Sequence, residues 1–230
     1  MKRSKNTLLL LLPFLLLTLS IGIFTMLIQA TRNANKSVKS IQTSSTDDQI
    51  YGDRVVNRFS KTQFSTTELA SLWVVLNESN IVPATYTPTN LSSIQTSDGN
   101  VILVRAELTD NIESLLSAAK KENFNIKPVS GYRDYNEQKK LYASNPYKTA
   151  AKPGFSEHQL GIAIDVSTGD NENIWLANHA HKYGFIIRYP KGKESITGMA
   201  YEPWHLRYVG VELATEIKNS NKTLEEYFQN

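Results

Sequence analysis

The 230-residue chain carries 25 basic and 22 acidic side chains, a net charge of +3, and no cysteine. The missing cysteines exclude disulfides, a thiolate nucleophile, a lipid-modified cysteine anchor and every Cys-ligated zinc or iron–sulfur site. A pI near 8.9 would suit a nucleic-acid binder, but the excess charge is local. Lys2, Arg3 and Lys5 lie in an acid-free N-terminal stretch, and beyond residue 30 the 22 basic and 22 acidic side chains balance. No nucleic-acid partner is therefore expected.

Residues 8–28 form an uncharged apolar run, mildly interrupted by Pro13, Thr18, Ser20 and Thr25. As a helix it would span roughly 30 Å, one hydrocarbon core. A cleaved signal peptide has a shorter apolar region and a small-x-small site. Ile28-Gln29-Ala30 fits that site poorly, so an uncleaved signal anchor is expected. The positive flank would stay in the cytoplasm, which puts the rest of the chain outside. Residues 31–65 are rich in Ser, Thr, Asn, Gln and Lys and read as a polar linker. A single domain should occupy residues 66–230, and it is expected to be monomeric.

Within that domain, residues 67–70 suggest a helical turn and 72–76 a buried strand. Pro83 and Pro88 interrupt regular structure. A short strand is expected at 101–104. Residues 110–123 read as a helix capped by Asp110, with Ile112, Leu115, Leu116 and Ala119 as its apolar stripe. A strand at 126–130 ends at Gly131, and a helix capped by Asp134 runs to 142. Residues 145–157, with two prolines and a glycine, should be a loop. Strands follow at 160–166, 185–189 and 204–209, and helices at 172–183, 211–218 and 223–228. Helices and short strands mix without a βαβ rhythm, so the expected fold is α+β: a small central antiparallel sheet flanked by helices.

Two features carry chemistry. In the segment from Ser156 to Asp165 a loop delivers His158, and seven residues later a carboxylate sits in an otherwise apolar strand. A buried carboxylate is costly unless it is paired or bound to a metal. This segment alone admits either a metal site or a structural His–Asp hydrogen bond. The second feature is Glu202-Pro203-Trp204-His205. A catalytic zinc typically takes three protein ligands beside a non-ligand carboxylate that accepts a proton from water. His158, Asp165 and His205 could supply the ligands and Glu202 the base. One geometric condition follows. In a regular strand positions i and i+3 face opposite ways, so Glu202 must sit at a turn or bulge to share a site with His205. Arg133, after the strand at 126–130, could hold a substrate carboxylate or an oxyanion, or merely pair with Asp134 or Glu137. His179 and His181, two apart on a helix, do not share a face and make a poor metal pair.

The segments SGYRDYNEQ (130–138), PGFSEHQLGIAIDV (153–166), YGFIIRYPKGKESITGMAYEPWHLRYVG (183–210) and, more weakly, LWVVLNESNIVP (72–83) together resemble the VanY-type D-alanyl-D-alanine carboxypeptidases. That zinc peptidase family also contains the LdcB-type L,D-carboxypeptidases. The resemblance implies that His158, Asp165 and His205 bind Zn²⁺, that Glu202 is the catalytic acid/base and that Arg133 stabilises the carbonyl oxygen or the substrate. It implies that Gln138, Ser156 and Trp204 lie near the substrate, a peptidoglycan stem peptide or its precursor. Whether the bond cut is D,D or L,D is not readable from the chain. Two other functions compete. Ser117-Ala118-Ala119-Lys120 matches the S-x-x-K of serine D,D-peptidases, but the K-T-G partner is replaced by Lys148-Thr149-Ala150. A non-catalytic wall-binding module would not require Glu202.

Overall fold

The structure, a computed structural model, describes residues 65–229 apart from 78, 97–98 and 146–148. The expected membrane segment at 8–28 and nearly all of the linker lie outside these residues. Among the described residues no helix is long and apolar enough to cross a membrane.

A two-stranded hairpin comes first, β1 (Leu91–Gln95) antiparallel to β2 (Val101–Arg105). Helix α1 (Thr109–Lys121) follows, then β3 (Lys127–Ser130), α2 (Tyr135–Ser144), β4 (Ala163–Ser167) and α3 (Asp170–His179). The chain closes with β5 (Phe185–Tyr189), the single-turn α4 (Glu194–Thr197), β6 (Glu202–Tyr208), α5 (Val211–Ser220) and α6 (Leu224–Phe228). Strands β3 to β6 form one antiparallel sheet in the order β3-β4-β6-β5. This is the expected α+β architecture, with the hairpin as a second small sheet.

The local causes are plain. The stripe Ile112, Leu115 and Ala119 on α1 is fully buried against Leu108, Val104, Ile164 and Leu206 in the main core. Helix α5 buries Leu213, Ala214 and Ile217 with Ile186, Leu224 and Tyr227 in a second cluster. Helix α2 starts at a capping box in which the Asp134 carboxylate accepts from the Glu137 amide and Glu137 reaches back to the Asp134 amide. Thr223 and Glu226 repeat the device at α6.

Several expectations are corrected. Residues 72–76 form no strand. Val74 and Val75 are buried, but the carbonyls of Leu72 and Val74 accept from the Arg207 guanidinium, at 2.9 and 3.0 Å, in place of a neighbouring strand. An apolar run of that length reports burial and does not distinguish a strand from a buried strap. Strand β1 was not anticipated. Helix α1 begins one residue before Asp110, which therefore sits in the first turn, where a carboxylate still favours the positive helix end. The segment 157–160 is a 3₁₀ turn ended by Gly161 in the left-handed region (φ 68°), and only then does β4 begin. The helix expected over 172–183 is α3 plus a separate 3₁₀ turn, Ala180–Tyr183. Strand β6 starts at Glu202, earlier than the expected 204.

Candidate active site

The sheet aligns the chemistry. Asp165 in β4 pairs with His205 in β6 on one side and with Ser130 in β3 on the other. Between the pairs Ile187–Leu206 and Tyr189–Glu202, β5 advances two residues and β6 four. This bulge meets the geometric condition set by the sequence. Glu202 and His205 are both buried, Trp204 is turned out to 39% exposure, and Glu202 Oε2 lies 4.0 Å from His205 Nδ1.

His158 arrives from the 3₁₀ turn. Its Nδ1 lies 2.7 Å from the Gly131 carbonyl oxygen. A carbonyl only accepts, so Nδ1 carries a proton, and Nε2 is turned to Asp165, 3.2 Å from Oδ2. Gly131 can hold this post because it has no side chain: a Cβ there would sit 2.2 Å from the Leu103 carbonyl oxygen. His205 presents Nδ1 to Asp165 Oδ1 at 3.0 Å. Its ring also packs edge-on against His158 and lies 5.1 Å from the Tyr189 ring. One ligand atom from each of His158, Asp165 and His205 falls within 4.8 Å of the others, and no other such group of three occurs among the described residues. Ligands at about 2.0–2.1 Å around a tetrahedral zinc are roughly 3.3 Å apart, so spacings of 3.0 and 3.2 Å fit that ion with little movement. The donor set, two imidazoles and a carboxylate, also suits zinc.

The electrostatics follow from burial and neighbours. Burial and Asp165 push the Glu202 carboxyl up to about 7, against the opposing pull of His205 and Arg133. Its Oε1 is buried without a hydrogen-bond partner. For His205, burial works against the charged ring, but Asp165 and Glu157 outweigh it and raise the group to about 9. Asp165 is also desolvated, yet the two imidazoles hold it well below the usual carboxylate range.

Arg133 does not make the surface pair with Asp134 or Glu137. Its Nη1 donates to Gln138 Oε1 at 2.7 Å, and its Nη2 donates to Ser130 Oγ at 2.9 Å and lies 3.5 Å from Asp165 Oδ2. Gln138 is itself fixed, donating to the Ala151 carbonyl at 2.7 Å. Arg133, Gln138, Ser156 and Trp204 line one cleft with the His–Asp–His group and Glu202. All eight candidate residues therefore meet in one place. His179 instead stacks on Trp175, and Ser117 is exposed on α1, away from the cleft.

Sequence reasoning missed the support behind this site. Glu157, 2% exposed, takes Arg188 Nε at 2.7 Å and Arg207 Nη1. Arg188 continues to Glu225 of α6 through two bonds of 3.0 and 2.6 Å. Burial alone would raise the Glu157 carboxyl, but the two guanidiniums hold it far below the usual range. The signal was present: Arg188 and Arg207 stand inside apolar strands, just as Asp165 does.

The comparisons with known proteins show the family. Residues 101–211 match the family model described as VanY: D-alanyl-D-alanine carboxypeptidase. VanXYC of Enterococcus gallinarum, a bifunctional D-Ala-D-Ala dipeptidase and D-Ala-D-Ala carboxypeptidase, is 34% identical over 175 residues, 66% of this chain and 91% of that protein. The chain belongs to the VanY family. YodJ of Bacillus subtilis (strain 168) is 38% identical over 184 residues, 69% of this chain and 67% of YodJ. A D-alanyl-D-alanine carboxypeptidase of Enterococcus faecalis (strain ATCC 700802 / V583) is 36% identical, and the chain spans 64% of its length. Among solved structures, the LdcB LD-carboxypeptidase superposes with a TM-score of 0.61 at 37% identity, covering 70% of this chain and 87% of that one. A mutant of the vancomycin-resistance D,D-pentapeptidase VanY in complex with Zn(II) gives 0.60 at 33% identity, covering 71% and 100%.

Proposed function

We propose that this VanY-family protein is a zinc carboxypeptidase that removes the C-terminal D-alanine from D-Ala-D-Ala stem peptides of peptidoglycan. One observation carries the reading: two imidazoles converge with Asp165 beside Glu202, a buried carboxylate whose Oε1 has no hydrogen-bond partner. His158 Nε2, Asp165 and His205 Nδ1 would hold the zinc, which when bound supplies Lewis acidity and lowers the pKa of water. Glu202, with a carboxyl near 7, takes the proton of the attacking water and returns it to the leaving amine of D-alanine. Arg133 offers fixed positive charge to the oxygen of the scissile carbonyl. Gln138 orients that guanidinium, and Ser156 and Trp204 border the bound peptide.

The likeness to the LdcB LD-carboxypeptidase supports a second reading, removal of D-alanine from tetrapeptide stems. We further place the domain outside the cell membrane, held by residues 8–28 behind the positive flank of Lys2, Arg3 and Lys5.

Defined penta- and tetrapeptides incubated with the zinc-loaded protein, with D-alanine release followed by mass, test both readings. Release from the pentapeptide that a chelator abolishes and penicillin leaves intact is expected. Release from the tetrapeptide alone would replace the first reading by the second. Activity that survives chelation and is blocked by penicillin, or no release at all, would overturn both.

A further inference from the structure

The largest fully buried side chain of the described residues is a charged one, Arg207. It belongs to a four-member charge chain running Arg207, Glu157, Arg188, Glu225. At both ends it engages residues beyond the segment matched by the family model, residues 101–211. At one end Arg207 donates to the carbonyls of Leu72 and Val74 in the N-terminal strap. At the other, Glu225 of α6 grips Arg188 with both oxygens. A buried ion network of this kind is a poor way to gain stability when apolar packing of the same volume is available, so its geometry invites a different explanation.

The middle of the network faces the candidate metal ligand. Glu157 gives Oε1 to both guanidiniums and leaves Oε2 turned to His205, 3.7 Å from Nε2. Both atoms are buried, neither has a hydrogen-bond partner, and they face each other just beyond hydrogen-bond distance. Nδ1 of the same ring faces Asp165. An ionised carboxylate can only accept, so the ring nitrogen opposite it must carry the proton. Without a metal the same rule puts a proton on Nδ1 opposite Asp165; if Asp165 and Nδ1 both turned to a metal, Nδ1 would give up its proton and Nε2 would keep the one facing Glu157.

We propose that Glu157 is the positioning residue for His205: clamped between Arg188 and Arg207, its carboxylate keeps the imidazole proton on Nε2 and so dedicates Nδ1 to the metal. The proposal rests on the zinc reading above. It gives the two guanidiniums a task, which is to fix the rotamer and charge of Glu157. It also makes the N-terminal strap and α6 part of the metal site's scaffold. Glutamine is the informative replacement. Its carbonyl oxygen must take the place of Oε1 between the two guanidiniums, so its amide NH₂ turns to His205. That donor calls for a lone pair on Nε2 and drives the ring proton to Nδ1, where it competes with zinc.

The test uses the purified protein with zinc, titrated against a chromophoric chelator. Removing a partner that orients a metal-bound histidine typically weakens metal binding 10–100-fold, and Glu157→Gln is expected to fall in that range with an unchanged far-UV spectrum. Zinc affinity within twofold of the parent in a folded Glu157→Gln protein would overturn the proposal. The second measurement needs no variant. Imidazole nitrogen NMR of the zinc-loaded parent should show His205 with zinc on Nδ1 and the proton on Nε2; zinc on Nε2 would overturn the proposal even if the variant does not fold. A parent protein that binds no zinc, or whose zinc does not contact His205, would instead defeat the metal reading on which it rests.

Discussion

Glu202→Gln separates what the site needs from what the fold prefers. The carboxylate is 4% exposed and its Oε1 has no partner. Its carboxyl rises from 4.5 to about 7, which corresponds to on the order of 3 kcal/mol withheld from the metal-free fold when the group ionises. The sign is fixed by the direction of the rise. The penalty is absent below the unfolded value near 4.5 and complete above about 7. A neutral amide of the same shape escapes it but lacks a partner too, so a net gain of about 2 kcal/mol at pH 8 is expected. With a urea slope of about 2 kcal/mol/M this moves the unfolding midpoint up by about 1 M at pH 8 and hardly at all at pH 4.5. Turnover by the zinc-loaded variant should fall by about 10²–10⁴, the usual worth of a positioned acid/base, while zinc remains bound. Urea titrations of metal-free parent and variant at both pH values, together with D-alanine release, check the set. A folded variant that is no more stable than the parent at pH 8, or that keeps full turnover, would refute the reasoning.

Two further outcomes follow. Gly131→Ala forces a Cβ to 2.2 Å from the Leu103 carbonyl oxygen, a backbone atom that cannot swing aside. A loss of about 2–3 kcal/mol, or roughly 6–10 °C in melting temperature, should come with weaker zinc binding, because the displaced carbonyl is the one that holds His158; calorimetry and chelator competition would measure the two. Metal-free His205 is held protonated up to about 9 by Asp165 and Glu157 against its burial. Its share of apo stability is therefore full below pH 6.5 and lost as pH rises through 9, whereas zinc must displace that proton. Zinc affinity should climb with pH across this window, and an affinity that is flat between pH 6.5 and 9 would remove His205 from the ligand set.

Much of the site was legible because charge is conspicuous in apolar surroundings. Asp165 stands out between Ile164 and Val166, and the short interval from Glu202 to His205 names its own geometric condition. Glu157 did not stand out. It follows a stretch with a proline and a glycine that reads as solvated loop, and only the tertiary structure shows it 2% exposed. Arg188 lies between Ile187 and Tyr189 and could have been caught by the reasoning applied to Asp165. Strand β1 was hidden because LSSIQ has only two large apolar residues and buries only Ile94, so no alternating pattern marks it. The bulge in β6 depends on which residue of β5 each position pairs with, and pairing register is not written in the strand that bulges. The VanY resemblance was visible because its segments carry the candidate ligands, whereas α6 and the strap reach Glu157 only through Arg188 and Arg207.

The bulge has a consequence for change over time. The Tyr189–Glu202 pair closes the hairpin just before β6 reaches His205, so residues 190–201 leave and re-enter the sheet outside the Glu202–His205 interval. That excursion carries Met199 to the cleft wall and is moored to α6 by the Lys193–Glu226 pair. Its length and composition can be exchanged without moving Glu202 relative to His205, while one residue gained or lost between those two would turn the base to the opposite face. The fold thus separates a fixed interval, which sets how Glu202 and His205 face each other, from a loop that reaches the same cleft at Met199 and lies outside that interval.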